Sequence, residues 1–192
     1  SVVAKTTNST LVADLQTIDD EFNSGSIARI IQSLPKFEWI LYEATVKKDT
    51  GIADAVFLQL SRYWCAPQVS NEIRFHILRI IESGYSAFPL LSPETIKPVI
   101  SRIIGVLESN DVTACTLVLR LLGCVAVLII NEPSIQYRII SYLPSKDIPL
   151  QAAAIYALEQ QCRFSRLFSH GIAKRLWKIV NSCCSSFQIL IL

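Results

Sequence analysis

The stretch DVTACTLVLRLLGCVAVLII, residues 111–130, decides the fold class of this chain. Asp111 is a residue type that commonly caps a helix, and a nearly continuous apolar run follows it. A helix that is apolar on almost all sides is either buried in protein or spans a membrane. Arg120 lies in the middle of the run, where an arginine costs about 2.5–3.5 kcal/mol on membrane insertion, and the flanks carry no positive charge. We therefore expect a buried helix and no membrane span.

The composition agrees with extensive burial. The chain has 192 residues, of which 51% are hydrophobic and 18% are charged, whereas soluble domains usually carry about 25% charged residues. A chain of this length can bury roughly 70% of its unfolded surface. Either the helices are buried on more than one face or some apolar surface is covered by a partner.

The rest of the chain also has the periodicity of helices. Apolar residues recur at spacings of three and four, and no Asn-Gly or Asp-Gly hairpin turn occurs. We expect residues 1–10 to form a flexible lead-in and residues 11–192 to form a single helical-repeat domain. The predicted helices cover residues 11–22, 27–34, 36–47, 52–65, 71–83, 93–108, 112–130, 133–143, 150–161 and 165–180.

Two glycines and an acidic cluster complete the local predictions. Gly51 is expected to break the chain before the fourth helix, and Gly84 to end the fifth in the left-handed conformation. Asp19, Asp20 and Glu21 lie at a polar helix end, where solvation is the ordinary explanation.

Three capping residues, Ser70, Asp111 and Asp147, reveal a repeat of 41 and 36 residues. Such periods are typical of two-helix repeats of the HEAT/armadillo class. Superposing Ser70 on Asp111 aligns Leu78 with Leu119 and Ile80 with Leu121. Superposing Asp111 on Asp147 aligns Val112 with Ile148, Leu119 with Ile155, and Leu122 with Leu158. A lone helix pair cannot bury both apolar sides, so pairs stack on one another. The sequence predicts an all-α solenoid of stacked antiparallel helix pairs.

No pattern of catalytic, cofactor-binding or metal-binding residues is recognisable. The six cysteines form no C-x-x-C pair, the two histidines lie at no zinc-ligand spacing, and no glycine-rich phosphate loop occurs. We therefore expect no enzyme activity, no cofactor, no metal and no small-molecule substrate. The cysteine spacings follow helix faces, which favours a reducing compartment over a disulfide framework.

Basic residues concentrate at the carboxyl-terminal end of the sequence. No acid follows Glu159, and on a helical wheel one arc holds a basic ridge, defined as Arg163, Arg166, His170, Lys174 and Lys178. The ridge is either the solvated face of an amphipathic helix or a surface that binds an acidic protein or nucleic-acid phosphates. Between the two binding hypotheses a protein is favoured, since no stacking aromatics interleave with the cations.

A second pair of cations occupies equivalent repeat positions. Superposing Ser70 on Asp111 places Arg79 over Arg120. Such positions in a solenoid either join successive repeats in a ladder or line the surface that contacts a partner. The structural role is favoured.

From about Val56 to Ser182 the sequence resembles the N-terminal helical-repeat region of Integrator complex subunit 7. The stretches that carry the resemblance are VFLQLSRYW (56–64), RFHILRIIES (74–83), VISRIIGVLESNDVTACTLVLRLLGCVA (99–126) and LQAAAIYALEQQCRFSRLFSHGIAKRL (150–176). The third is the most specific, because a helix ending in ESND leads into a capped helix with R-L-L-G.

The resemblance implies a nuclear, non-catalytic scaffold that contacts other protein subunits. The Integrator complex associates with RNA polymerase II, carries an endonuclease and a phosphatase module, and processes small nuclear RNA or attenuates transcription. Members of this family are far longer than the present chain, which would be a fragment or a diverged relative. Two other functions stay open: a helical-repeat nucleic-acid binder that uses the basic ridge, and a HEAT-type transport or trafficking adaptor.

Overall fold

A computed structural model of the chain describes residues 2–67 and 69–165, together with Ser169 and Ile172. These residues form nine α-helices and three short 3₁₀ helices, and no strand occurs among them. The predicted all-α fold of paired helices is confirmed. In the described part of the chain, no helix has both the length and the apolarity that crossing a membrane requires.

Most helix bounds lie close to those predicted. The α-helices are α1 (Val2–Asn23), α2 (Ile27–Ser33), α3 (Lys36–Lys47), α4 (Thr50–Trp64), α5 (Asn71–Ser83), α6 (Pro93–Gly105), α7 (Val112–Cys124), α8 (Pro133–Ser141) and α9 (Ile148–Phe164). The 3₁₀ helices are Gly84–Leu90, Val106–Glu108 and Ala126–Leu128. Of the predicted helix over 165–180, the structure describes only Ser165, which follows the end of α9, and Ser169 and Ile172, which are helical.

The chain divides into two compact units, Ser1–Val118 and Leu119–Leu192. The first holds α1 to α6, and the second holds α8 and α9. Helix α1 begins at Val2, well before the predicted start at Leu11. The flexible lead-in over 1–10 and the single domain over 11–192 remain predictions.

The three predicted caps share one geometry. The side chains of Ser70, Asp111 and Asp147 each accept a hydrogen bond from the backbone N–H three residues on, at 3.3, 3.0 and 2.9 Å. Each bond satisfies one of the four N–H groups that a helix leaves unpaired at its start. The caps therefore set where the repeated helices α5, α7 and α9 begin.

Burial follows the same alignment. The positions three, seven, ten and eleven residues after each cap are buried in all three helices: Ile73, Ala114 and Leu150; Ile77, Val118 and Ala154; Ile80, Leu121 and Ala157; Ile81, Leu122 and Leu158. The aligned pair Leu119 and Ile155 differs, since Leu119 is buried and Ile155 is 51% exposed. The repeat is thus confirmed in its core, while α9 buries a narrower strip than α5 or α7.

The prediction for Gly51 is wrong, and the one for Gly84 is right about where α5 ends but wrong about the conformation. Gly51 lies inside the first turn of α4, because Asp49 caps that helix by accepting from the Ile52 N–H at 3.0 Å. Gly84 has a φ of −79°, which is not left-handed, and the chain continues there into a 3₁₀ helix. A Cβ at Gly84 would lie 2.7 Å from Cδ1 of Leu41. Helix α5 thus ends at Ser83 as predicted, but glycine serves a close approach to α3 there and not a left-handed turn.

Helix α7 is shorter than predicted. It ends at Cys124, and a 3₁₀ helix follows within the apolar run that was expected to be helical to Ile130. In the second unit a Cβ at Gly123 would lie 2.5 Å from Cε1 of Tyr156 and 3.2 Å from Cα of Ala157. The absence of a side chain at Gly123 lets α9 pack directly on this part of α7.

In the first unit, helices α1, α4 and α6 lie side by side and run in the same direction. Gln59 Nε2 donates to the Leu15 carbonyl at 3.1 Å, and Tyr63 Oη donates to Asp19 at 2.8 Å. Residue numbers therefore increase in the same direction along α1 and α4. The corresponding bonds between α4 and α6 are Ser92 to Asp54 and Arg102 to Ser61. The partners are 44, 44, 38 and 41 residues apart. These separations are the repeat period, now visible as contacts between equivalent helices.

The caps of successive repeats are also joined directly. Asn71, the first residue of α5, donates to Asp111 Oδ2 at 2.8 Å. Arg74 holds Asn71 in place by donating to its Oδ1 at 2.8 Å, and it donates to the Trp64 carbonyl at 3.1 Å. Asp111 therefore both starts α7 and connects it to α5.

We expect Asp111→Ala to lower the free energy of unfolding by about 1–2 kcal/mol, since the cap and the bond to Asn71 are both lost. The double mutant Asn71→Ala/Asp111→Ala should lose less than the sum of the single mutants, which denaturation of all three would show. Strict additivity would mean that Asn71 and Asp111 are not coupled.

The same bonds predict a pH dependence. The Ala114 N–H, followed by the Asn71 amide, lowers the pKa of Asp111. A carboxyl whose pKa is lowered in the folded state stabilises the fold fully above its unfolded pKa, and loses that effect as the pH falls through the folded pKa. The stability difference between wild type and Asp111→Ala should therefore be constant near neutral pH and shrink below about pH 4.

Candidate functional site: a groove along helix α4

An open groove runs along α4 in the first unit, with α1 on one side. Helix α4 lines it with Ala55, Leu58, Gln59 and Arg62, and α1 lines it with Val12, Leu15, Gln16 and Asp19. Both sets have the spacing i, i+3, i+4, i+7, which places four residues on one helix face. The two helices therefore present matched faces to the same groove.

The groove consists of two adjoining cavities of about 490 and 460 Å³. Asp19, Arg62 and Arg102 line both cavities and so mark the middle of the groove. Away from this point the first cavity is lined by four aliphatic side chains and by Gln16 and Gln59. The second is bounded by Phe22, Asn23, Tyr63 and the turn from Cys65 to Pro67. We call this surface the α4 groove.

Asp19 is the one carboxylate among the described residues that line the groove, and its Oδ1 is engaged. Asp19 Oδ1 forms an ion pair with Arg62 and accepts the Tyr63 hydroxyl hydrogen bond at 2.8 Å. The Tyr63 hydroxyl in turn accepts from Gln59 Nε2 at 2.6 Å. The solvated role predicted for Asp19 is therefore wrong, because its side chain is only 23% exposed and joins α1 to α4.

Arg102 is the second cation of the groove. It lies exposed on α6 and its Nη1 donates to Ser61 Oγ at 3.3 Å. No carboxylate of the described residues lies within ion-pair distance of its guanidinium. The α4 groove therefore contains two arginines and one acid, which leaves it positively charged.

The aromatic residues of the groove are packed against each other. Phe22 and Tyr63 stack with ring centroids 3.8 Å apart and planes at 8°. Phe22 is 9% exposed and Tyr63 is 1% exposed, so neither ring offers a face to a ligand. Burial, followed by the hydrogen bond to Asp19, raises the pKa of Tyr63, which keeps its hydroxyl a neutral donor.

The groove contains no activated nucleophile in its described part. Cys65 donates a hydrogen bond to the Arg102 carbonyl at 3.3 Å, and burial raises the pKa of its thiol despite the opposing charges of Arg74 and Arg102. Among the described residues, Cys65, Cys115, Cys124 and Cys162 form no disulfide. Across the described residues, no group of side chains is arranged to hold a metal ion. The arginines and aliphatic side chains of the α4 groove are suited to binding a carboxylate beside apolar groups.

The basic ridge predicted from the sequence is only partly described. Arg163 lies exposed on α9 and pairs with Glu159, one helical turn earlier, at 2.8 Å. Arg166, His170, Lys174 and Lys178 lie outside the described residues. The ridge as a binding surface stays a prediction.

Arg79 and Arg120 are both exposed, as their equivalence in the repeat implies. Arg79 lies 4.0 Å from Glu82 on its own helix. A bond between successive repeats is formed instead by Asn71 and Asp111. In the sequence this bond is indicated only by a polar residue directly after the Ser70 cap. That signal is too common to identify Asn71. The roles of Arg79 and Arg120 stay predictions.

Comparison with known proteins identifies the origin of this helical array. The family described as Integrator complex subunit 7, N-terminal, matches residues 50–191. The Integrator complex subunit 7 homolog of Dictyostelium discoideum is 27% identical over 168 residues, covering 88% of this chain and 16% of that protein. The chain thus spans about one sixth of the relative's length. The match covers α4 to α9, including the three capped helices, the ESND segment before α7 and the R-L-L-G segment within it. On this basis the chain belongs to the Integrator complex subunit 7 N-terminal family.

Proposed function

We propose that this chain acts as a non-catalytic scaffold subunit of a nuclear, Integrator-type assembly that regulates transcription or processes RNA, and that it acts through protein contacts. The observation that carries the proposal is the family match over residues 50–191. The fold supports it, since a helical-repeat array offers extended surfaces for binding.

Exposed apolar and aromatic side chains also fit a binding role. Trp39, Tyr42 and Val46 lie on one face of α3 and are 50%, 63% and 62% exposed. Large exposed side chains grouped on one surface are typical of interaction sites. Together with the α4 groove, they give the first unit two surfaces on which a partner subunit can pack.

The test is affinity purification of the tagged, full chain from nuclear extract, followed by mass spectrometry. A helical-repeat protein of similar size and charge with the same tag serves as the control. We expect several Integrator subunits to be enriched with this chain and absent from the control. Recovery of transport or trafficking proteins in their place would contradict the proposal.

Electrophoretic mobility shifts of RNA with the purified chain, measured over a salt series, distinguish the nucleic-acid function from the scaffold function. If phosphate contacts dominated, binding of RNA by the purified chain would be strong at low salt and fall steeply as salt increases. We expect weak, non-specific RNA binding at physiological ionic strength. Tight RNA binding by the chain alone would favour the nucleic-acid function instead.

A further inference from the structure

We propose that the α4 groove binds a segment of a partner protein in which apolar residues flank an acidic side chain. The inference deepens the proposed function and rests on it in taking the occupant to be a neighbouring subunit. Three observations carry it: the length and apolar lining of one half of the groove, the unbalanced positive charge at its centre, and the packing of its aromatic residues.

The length of the groove suits a short peptide segment. Its lining extends along α1 from Val12 to Asn23, which is about 16 Å at 1.5 Å per residue. A helix of three turns or an extended segment of about five residues has this length. Val12, Leu15, Ala55 and Leu58 line the first cavity, and Val12 is 61% exposed. Apolar side chains of a peptide would cover these groups.

The charge at the centre selects an acid. Asp19 already accepts from both Arg62 and Tyr63, so its Oδ1 is occupied. Among the described residues the Arg102 guanidinium has a single neutral partner, at 3.3 Å, which leaves most of its donors for a ligand. A carboxylate of the partner placed beside Arg102 would form charge-assisted hydrogen bonds and balance the second arginine.

The same geometry favours a protein over a nucleic acid. Single-stranded nucleic acids are held by stacking of bases on exposed aromatic rings in addition to phosphate contacts. In the α4 groove the two aromatic rings stack on each other and are buried. Away from Arg62 and Arg102, the described lining of the first cavity offers no cation to a phosphate. An acidic and apolar peptide matches both halves.

The experiment is selection of a random peptide library on the purified, full chain. Peptides of about 12 residues cover the groove as a helix. We expect the selected peptides to share an Asp or Glu with apolar residues about one helical turn away. Arg102→Gln should weaken their binding about tenfold or more, because hydrogen bonds to charged groups are the stronger kind. Leu58→Gln should weaken it through the apolar half.

Arg29→Gln is the matched control, since Arg29 is exposed on α2 and does not line the groove. It should leave peptide affinity unchanged. Thermal melting by circular dichroism checks the fold of each variant, and Arg102→Lys, which keeps the charge, should retain part of the affinity. The proposal is wrong if no common acidic motif is selected or if the selected peptides bind Arg102→Gln as well as wild type.

Two further outcomes are distinguishable. Arg102-dependent binding of a fluorescein-labelled oligouridine RNA would assign the groove to nucleic acid and overturn the proposal. Because the selection uses the purified chain, its failure would leave membership of an Integrator-type assembly intact. Failure to recover Integrator subunits from nuclear extract would overturn the proposed function but not a peptide site found by selection.

Discussion

Replacement of Trp64 by alanine is expected to lower the free energy of unfolding by about 3–5 kcal/mol. Trp64 is the last residue of α4 and is completely buried. No described residue accepts a hydrogen bond from its Nε1, so apolar packing accounts for the expected contribution of the side chain. Alanine would leave a cavity at the end of α4, where the indole ring now packs. Denaturation of the full chain by urea, followed by circular dichroism, measures the loss.

Trp39→Ala is the matched control for this prediction. Trp39 lies on α3 with 50% of its surface exposed, so its truncation removes much less buried area. We expect a loss below about 1 kcal/mol, as for other surface substitutions. If the two tryptophans had equal effects, the assignment of Trp64 to the core and of Trp39 to a surface face would be wrong.

Gly123→Ala is expected to destabilise the second unit by about 1–3 kcal/mol. The new Cβ would lie 2.5 Å from the Tyr156 ring and 3.2 Å from Cα of Ala157. The ring can rotate away, but the Ala157 backbone belongs to α9, so relief requires the two helices to move apart. This cost exceeds the gain of up to about 1 kcal/mol that alanine normally brings to a helix in place of glycine.

Gly105→Ala provides the opposite case in the same chain. A Cβ at Gly105, in the last turn of α6, would meet no atom within 4 Å. The substitution should therefore stabilise the protein by about 0.5–1 kcal/mol. Thermal melting of both variants compares them directly. A stabilising Gly123→Ala would show that α7 and α9 do not approach each other as closely as described.

Features that depend on local sequence were predictable. The bounds of α3 and α5 agree with prediction, because proline, capping residues and three–four periodicity all act within a few residues. The caps Ser70, Asp111 and Asp147 were found for the same reason. Helix α1 was predicted too short, since the polar stretch SVVAKTTNST carries little apolar periodicity. The left-handed conformation predicted for Gly84 was wrong, because this glycine serves the close approach of Leu41, a residue distant in sequence.

The α4 groove was not predictable from the residues alone. Facing residues of its two walls, such as Asp19 and Arg62, are 43 residues apart in sequence. Each wall mixes apolar, amide and charged side chains that look like an ordinary solvated face. Asp19 in particular appears in the sequence as part of an acidic cluster, while in the structure it pairs with Arg62. Only the side-by-side packing of α1, α4 and α6 brings Asp19, Arg62 and Arg102 together.

Site-specific photo-crosslinking from within the α4 groove tests the central claim most directly. A photoreactive amino acid placed at Leu58 in the full chain, and at the exposed Ile27 of α2 as a control, would be activated in nuclear extract. We predict that position 58 forms an adduct with an Integrator subunit at an acidic segment flanked by apolar residues, and that position 27 does not. Crosslinks from position 58 to nucleic acid, or no adduct that distinguishes it from position 27, would contradict the account.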